Sequence, residues 1–319
     1  IEHMKDKDDN IRKIEYAGSL RRMKETIGDV DILCVSDDAK KTVKAFTKMP
    51  DVQRVVSKGD TRSSVVLQEG ISADLRILEE KSYGSAMQYF TGSKEHNIEV
   101  RKMARKKGYK LSEYGLFKSK GDKHVAGKSE KEIYKKLGMQ LVPPELRENR
   151  GEIEAAKDDK IPKLVELEDI RGDLQMHTKY SDGDSTIRQM AKRCKELGYD
   201  YIAITDHSKS QQIAKGMDEK ELKKQLKEID RISKDMDIKI LKGAEVDILK
   251  DGSLDYPDDI LKKLDIVLAS VHSGFKSSER SMTERIVKAL QNKHVNLLAH
   301  PTGRMLKKRK GYDVDLDKV

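Results

Sequence analysis

Near the start of the chain, Gly18-Ser19-Leu20-Arg21-Arg22 is followed seven residues on by Asp29-Val30-Asp31. Side chains alternate along a strand, so Asp29 and Asp31 share one face and Val30 and Ile32 point to the other. Two carboxylates aimed into one space repel unless a cation lies between them. Oxygen donors in that pattern suit Mg²⁺ or Mn²⁺, which keep several waters and bridge to substrate phosphates. Gly18 and Ser19, at an expected helix start, offer backbone N–H groups and a hydroxyl to a phosphate, with help from the helix dipole. Arg22 adds a planar, permanently charged fork that matches phosphate oxygens.

Ser72-Ala73-Asp74-Leu75-Arg76-Ile77 is a second alternating segment, with Asp74 and Arg76 on one face. A third carboxylate on an adjacent strand completes a two-metal site, in which one ion lowers the pKa of an attacking hydroxyl and the other holds a triphosphate. Further on stands Tyr89-Phe90-Thr91-Gly92-Ser93-Lys94-Glu95-His96-Asn97. Ser93 is expected to cap a helix over residues 94–107 that Gly108 stops. Asn97 and Arg101 then lie one turn apart on one face, where an amide and a guanidinium can touch the edge of a base pair.

After residue 172 the pattern changes to alternating strand-like and helical segments, an α/β arrangement. Strand after strand ends in a metal-capable residue. Asp173-Leu-Gln-Met-His177 alternates, placing Asp173, Gln175 and His177 on one face, with Asp182 in the following loop. Apolar runs then end at His207, Glu245, His272 and His300. In a parallel barrel the C-terminal strand ends converge on one mouth, so these groups can meet around metal ions. His3, His96, His124 and His294 fall outside the pattern and read as ordinary local groups.

The 319 residues allow two domains with separate cores, and the net charge of +9 favours a polyanionic partner. Residues 101–136 hold 13 Lys/Arg against 4 Asp/Glu, a local excess equal to that of the whole chain. Because this cluster follows the helix carrying Asn97 and Arg101, it reads as an electrostatic grip on a nucleic-acid backbone. Cys34 and Cys194 lie in apolar or helical contexts without ligand spacing and read as buried thiols rather than a disulfide. No apolar run approaches a membrane span, and a cytoplasmic protein is expected. Pro143-Pro144 and Pro162 punctuate a stretch read as a connector over residues 141–172.

The first-half motifs, in this order and spacing over residues 14 to 117, resemble the palm and thumb of a family X DNA polymerase. The resemblance implies that Asp29, Asp31 and Asp74 hold the catalytic metals, with Asp74 also helping to activate the primer 3′-hydroxyl. It implies that Gly18, Ser19 and Arg22 bind the triphosphate, and that Tyr89, Phe90 and Gly92 lie along the sugar. Asn97 would contact the base edge, Arg101 the template side, and Lys102 and Arg105 the DNA. The second half resembles a PHP domain, the phosphoesterase module that prokaryotic members carry after the thumb. That implies a distorted (α/β)₇ barrel with Mn²⁺ or Zn²⁺ held by His177, Asp182, His207, Glu245, His272 and His300, and a 3′→5′ exonuclease activity.

The expected architecture is therefore an α+β nucleotidyltransferase-like palm (1–77), a helical and β thumb (78–140), a linker (141–172) and an incomplete PHP barrel (173–319). Two departures stand out. Gln175 occupies the first position of an expected His-x-His pair, and the chain stops before a later Asp-x-His pair, so it reads as a piece of a longer protein. The expected activity is templated gap-filling synthesis on gapped or primer-template DNA from deoxynucleoside triphosphates, by a monomer. The competing readings are a stand-alone phosphatase acting on a small phosphate ester and a DNA-binding scaffold with degraded sites.

Overall fold

A computed structural model describes residues 1–319, which divide into two compact units, Ile1–Lys163 and Leu164–Val319. The first unit opens with α1 (Glu2–Lys7), β1 (Ile11–Tyr16) and the single-turn α2 (Gly18–Arg21). There follow β2 (Asp29–Ser36), α3 (Ala39–Thr47), β3 (Val52–Lys58), β4 (Arg62–Leu67) and β5 (Ser72–Ile77). The five strands form one mixed sheet in the order β1-β2-β5-β4-β3, in which only β2 and β5 pair in parallel.

Alternation sorts the two faces of this sheet. Ile32, Cys34, Ala73 and Leu75 point to one side, where they pack with Val43 and Phe46 of α3. Asp38 caps α3 by accepting from Lys41 N–H at 3.0 Å. Leu33 points to the other side and packs with Ala17, Ala86 and Met87. Asp29 and Asp31 have the parity of Leu33, and Asp74 is out of phase with Ala73 and Leu75, so all three carboxylates project from the face away from α3.

The unit continues with α4 (Tyr83–Thr91), α5 (Lys94–Lys106), a three-stranded antiparallel sheet of β6 (Tyr109–Ser112), β7 (Gly115–Lys118) and β8 (His124–Ala126), then α6 (Glu130–Lys136) and α7 (Glu152–Lys157). The helix expected over 94–107 is present as α5, with Ser93 accepting from His96 N–H and Gly108 at φ +75° beyond its end. The connector expected from residue 141 differs. Val142, Ile153 and Ala156 share one buried core with Val100, Leu116, Ile133 and Tyr134, so residues 141–163 are part of the first unit. Pro143, Pro144 and Pro162 give the stretch the look of a connector, but the apolar side chains on either side of Pro143-Pro144 complete the core.

His96, read as an ordinary local group, is fully buried. Its Nδ1 lies 2.6 Å from Glu152 Oε1 and its Nε2 2.7 Å from the hydroxyl of Tyr134. The carboxylate assigns the proton to Nδ1, leaving Nε2 to accept from Tyr134. This triad ties α5 to α6 and α7. A second buried network joins α2, α6 and the 142–148 segment. Arg147 donates through Nη1 to Glu130 at 2.5 Å and through Nε and Nη2 to the Val142 carbonyl, while Arg21 donates through Nη2 to the other Glu130 oxygen at 2.7 Å. Burial opposes the Glu130 charge, but Arg147 and Arg21 outweigh it and hold the carboxyl below its usual range.

The second unit is built from β9 (Gly172–Met176), α8 (Ile187–Glu196), β10 (Tyr201–Ile204), α9 (Glu219–Ser233), β11 (Lys239–Asp247), α10 (Asp258–Leu261), β12 (Ile266–Ser270), α11 (Glu279–Leu290) and β13 (Leu297–Leu298). Its five strands are all parallel and lie side by side in chain order, each joined to the next across a helix. Both faces are covered, as a parallel sheet requires. Ile202, Ile204 and Ile240 pack outward with Ile187, Ala191 and Ile229 of the helices. Ala203, Ile266, Leu268 and Ala299, with Leu174 and Leu241, form the inner layer. Of the seven-stranded barrel expected, these residues make five strands of curled parallel sheet. Cys34 and Cys194 are both buried and unpaired as expected, and burial pushes the Cys34 thiol up to about 12. No helix is long and apolar enough to cross a membrane.

The His96 triad has a pH signature. Burial, only partly offset by Glu152, holds the imidazole below its ordinary pKa. Burial also works against the Glu152 charge, yet its hydrogen bonds from His96 and from the Asn149 and Arg150 N–H groups hold it below the carboxylate range. In acid the folded unit therefore binds fewer protons than the unfolded chain, so this contribution is complete above about pH 6.5 and is lost as pH falls. Urea unfolding of the first unit should show stability declining from pH 7 to pH 5, and His96→Phe, which cannot titrate, should flatten that decline.

Candidate active sites

In the first unit, β2 and β5 run in register with Asp31 opposite Asp74 and Asp29 opposite Ser72. Parallel neighbours share facing side chains, so the aspartates converge as the sequence spacing anticipated. Asp31 is half-buried, and its carboxyl is held above the usual range, first by burial and then by repulsion from Asp29 and Asp74. Arg76 and Arg62 offset this only in part. A set of carboxylates that raise one another's proton affinity is relieved by a divalent cation, and the all-oxygen donor set fits Mg²⁺ or Mn²⁺. Ser64, paired with Asp74 across β4–β5, donates its hydroxyl to Asp74 Oδ1.

Gly18 sits directly against this group. Its backbone has φ +65°, and a Cβ built there would lie 2.8 Å from Asp31 Oδ2. Ala17 N–H also donates to the Asp31 carbonyl at 2.8 Å, which draws the turn onto β2. The helix that Gly18 and Ser19 begin is only one turn long. What it offers an anion is first-turn N–H groups without intrahelical acceptors rather than the dipole of a longer helix.

Arg22 is already engaged. Its Nε donates to Glu148 at 2.8 Å and its Nη1 to the Thr91 carbonyl at 2.5 Å, beside buried Gly92. Lys24 approaches the same Glu148 oxygen at 3.5 Å. Asn97 is buried, accepting from Gln88 Nε2 and donating to the Tyr89 carbonyl, each at 2.7 Å. Tyr89 and Phe90 meet edge to face at 5.1 Å, and Arg76 lies over the Phe90 ring at 4.3 Å. Arg101 donates back to the Asn97 carbonyl at 3.3 Å, Lys102 pairs with Glu99 at 2.7 Å, and Arg105 is exposed. Glu148 and Glu130 went unnoticed in the sequence because nothing local distinguishes them from surface glutamates.

In the second unit the donors continue the inner-face pattern through the C-terminal ends of the strands and just beyond them. On β11 and β12, Glu245, Asp247, Ser270 and His272 share the parity of Leu241, Ile266 and Leu268. The β10–β11 ladder extends beyond β10 as a bridge between His207 and Glu245. In β9, the register against β10 slips between Asp173 and Met176. This irregularity breaks the simple alternation expected for Asp173, Gln175 and His177. Gln175 and His177 reach the centre, whereas Asp173 turns back to accept from the Gln175 N–H at 2.9 Å.

Glu245, fully buried, lies at the middle of the cluster. Its Oε1 is 3.1 Å from His272 Nε2 and 2.8 Å from His300 Nε2. Its Oε2 is 3.1 Å from His177 Nε2, 3.0 Å from Gln175 Nε2 and 4.0 Å from His207 Nδ1. Two groups of donors, His177/His207/Glu245 and Glu245/His272/His300, each lie within 4.8 Å of one another and share this carboxylate. Asp182 accepts from His177 Nδ1 at 2.8 Å and stands 3.6 Å from His207 Nε2.

Burial opposes charge on His177 and His272, but their carboxylate partners outweigh it and raise both to about 9, while Glu245 is driven far below its usual range. Burial depresses His207. Its Nδ1 is buried with no hydrogen-bond partner. An orphaned imidazole nitrogen facing a shared carboxylate, among three further histidines, fits Mn²⁺ or Zn²⁺.

Two supporting residues were missed. Asp247 accepts from His272 Nδ1 at 2.5 Å. Its position two residues past Glu245 on an alternating strand was a usable signal. Asp206, fully buried, accepts from Thr178 N–H and Oγ1, Ser181 Oγ and Gln225 Nε2 at 2.6–2.7 Å, and so staples the loop that carries His177 and Asp182.

The first unit thus carries an all-carboxylate set beside a glycine turn and the second a set of imidazoles around a carboxylate, two donor chemistries that suit divalent cations. The description of the DNA polymerase β thumb matches residues 86–148, and that of the PHP domain matches residues 173–307. The chain is 42% identical over 313 residues to the "DNA polymerase/3'-5' exonuclease PolX" of Bacillus subtilis, covering 97% of this chain and 55% of that protein. It is 33% identical over 144 residues to the "Repair DNA polymerase X" of African swine fever virus, covering 43% of this chain and 82% of the viral protein. Its second half is 35% identical over 139 residues to a "Probable phosphatase" of Thermoanaerobacter pseudethanolicus, 42% of this chain and 52% of that protein. The chain belongs to the family X DNA polymerases. It spans about half the length of the Bacillus and Thermoanaerobacter relatives.

Two substitutions probe the packing around the sites. Gly18→Ala should cost about 1–2 kcal/mol from the left-handed backbone alone and push on Asp31, lowering the midpoint of chemical unfolding of the first unit. Asp206→Ala removes the acceptor of four hydrogen bonds, leaving Thr178 N–H, Thr178 Oγ1 and Gln225 Nε2 unmet and Ser181 Oγ with only its 3.3 Å contact to Asp182. It should cost at least about 3 kcal/mol in the second unit and raise amide exchange across residues 177–183.

Proposed function

We propose that this protein adds deoxynucleotides to a primer 3′ end on gapped or primer-template DNA, and that its second unit removes nucleotides from a 3′ end. The observation that carries the first half is the register of β2 against β5, which sets Asp31 against Asp74 beside Gly18. In this reading residues 1–77 act as the palm and residues 78–163 as the thumb, with Asp29, Asp31 and Asp74 holding Mg²⁺ or Mn²⁺. Such ions, when bound, supply a lowered hydroxyl pKa and compensation for the triphosphate charge.

The chain's own part is positioning. Ser64 fixes the rotation of Asp74 through Oδ1, leaving the other oxygen to accept the proton of the primer hydroxyl. Gly18 and Ser19 present N–H groups to the triphosphate. Arg22, anchored by Glu148 and the Thr91 carbonyl, spends two of its five donors on protein and keeps the rest for phosphate oxygens. Tyr89, Phe90 and Gly92 line the sugar, and Asn97 acts by holding the Tyr89 carbonyl rather than by reading a base edge itself. Arg101 meets the template side. Exposed Lys102 and Arg105, with the basic run to residue 136, hold the DNA backbone, a contact that weakens with salt.

In the second unit His177, Asp182, His207, Glu245, His272 and His300 would hold Mn²⁺ or Zn²⁺, which when bound supply Lewis acidity toward a phosphate ester. Occupation requires the protons on His177 and His272 to leave, so ion uptake strengthens with pH. The similarity to the Thermoanaerobacter phosphatase favours a second reading for this half alone, hydrolysis of a phosphomonoester. Asp74→Ala should abolish primer extension on a gapped duplex, and His207→Ala should abolish 3′-end digestion while sparing extension. Extension that survives Asp74→Ala removes the carboxylate triad from the mechanism. Release of phosphate from a 3′-phosphorylated oligonucleotide without shortening of a 3′-hydroxyl strand favours the phosphomonoesterase.

A further inference from the structure

The two faces of Glu245 are not equivalent. On the Oε1 side every neighbour is an imidazole, His272 and His300, and His272 is backed by Asp247. That aspartate is buried in β11, with its own N–H donating to Ser208 Oγ at 2.9 Å and a further contact from Ser270 Oγ. A carboxylate behind a histidine fixes the ring's tautomer and raises its basicity as a ligand. On the Oε2 side His177 also has an aspartate behind it, but Asp182 lies in a loop and its side chain is 47% exposed, against 7% for Asp247.

The Oε2 side also carries Gln175. Its amide Nε2 donates to Oε2 at 3.0 Å, alongside His177; two donors reach Oε1 as well, but those are imidazoles that can lose a proton and turn ligand, whereas an amide NH₂ remains a donor only. An amide turned this way presents a positive edge to an incoming cation. Turned over, it offers a neutral carbonyl oxygen, a poorer partner for Mn²⁺ or Zn²⁺ than imidazole. Meanwhile His207 Nδ1, on the same side and 4.0 Å from Oε2, has no hydrogen-bond partner. The Oε2 half therefore has the donors of an ion site and a competitor built into it.

We propose that Gln175 makes this centre asymmetric: the Glu245/His272/His300 half takes up a divalent cation first and holds it tightly, while the His177/His207/Glu245 half fills only at higher ion concentration. This rests on reading the second unit as a metallo-phosphoesterase. Its consequence is that hydrolysis at a 3′ end, if it needs both halves filled, is gated by free ion concentration through one residue that contributes no charge.

The test counts ions rather than activity. In a background carrying Asp29→Ala, Asp31→Ala and Asp74→Ala, so that the first unit's carboxylates do not contribute, Mn²⁺ is titrated by calorimetry and by the fall of its free-ion electron paramagnetic resonance signal. The unsubstituted second unit should show two binding steps at least tenfold apart. Gln175→His should tighten the weaker step by about tenfold or more and leave the stronger one in place, whereas Asp247→Asn should weaken the stronger step by about 10–100-fold. Circular dichroism of each ion-free variant establishes that it is folded. Two steps of equal affinity, or a Gln175→His variant whose weaker step does not move, overturns the asymmetry while leaving the phosphoesterase reading intact. Absence of Mn²⁺ from every folded variant overturns both.

Discussion

Where β2 pairs with β5, Asp31 stands opposite Asp74, and where β10 pairs with β11 the ladder runs on to set His207 beside Glu245. Parallel pairing imposes this: strands that point the same way end on the same side, and residues in register present side chains to a common space. In a globular core that space would be filled with apolar groups. In this chain it is filled in the first unit by carboxylates and in the second by imidazoles around one carboxylate. Both arrangements are electrostatically unfinished, as the raised Asp31 carboxyl and the orphaned His207 nitrogen record.

Holding such groups together costs stability that neighbouring networks must offset. Removing a charge from water is unfavourable unless partners surround it, and three largely buried carboxylates outside the donor sets are each surrounded in this way. Glu130 between Arg147 and Arg21, Glu152 against His96, and Asp206 under four donors are of this kind. Each joins elements far apart in sequence and lies close to a site: Arg21 precedes Arg22, His96 precedes Asn97, and Asp206 precedes His207. Buried paired groups and candidate site residues are thus laid next to one another along the chain.

The same adjacency explains what sequence reading reached and what it missed. The aspartates of β2 and β5 and the histidines at strand ends carry their meaning in local pattern, period two followed by a turn, so their convergence could be read in advance. Asp247 carried the same signal two residues past Glu245 and was legible in principle. Glu130, Glu148 and His96 carried none, because a buried, paired charge looks like any surface charge until its partner 109, 126 or 56 residues away is brought up to it. The bulge in β9 was invisible for a related reason: an extra residue in one strand is defined only against its neighbour.

The amino-acid sequence by itself determined the two classes of structure, the chemical character of both donor sets and the basic run beside the first, because each rests on composition and short-range periodicity. The tertiary structure alone decided that residues 141–163 belong to the first unit's core, that the Asn97 amide is turned inward, that Arg22 is anchored by Glu148, and that Gln175 engages one face of Glu245. Those are outcomes of burial and partner choice among distant groups, and no local pattern encodes which of many possible partners a side chain will meet.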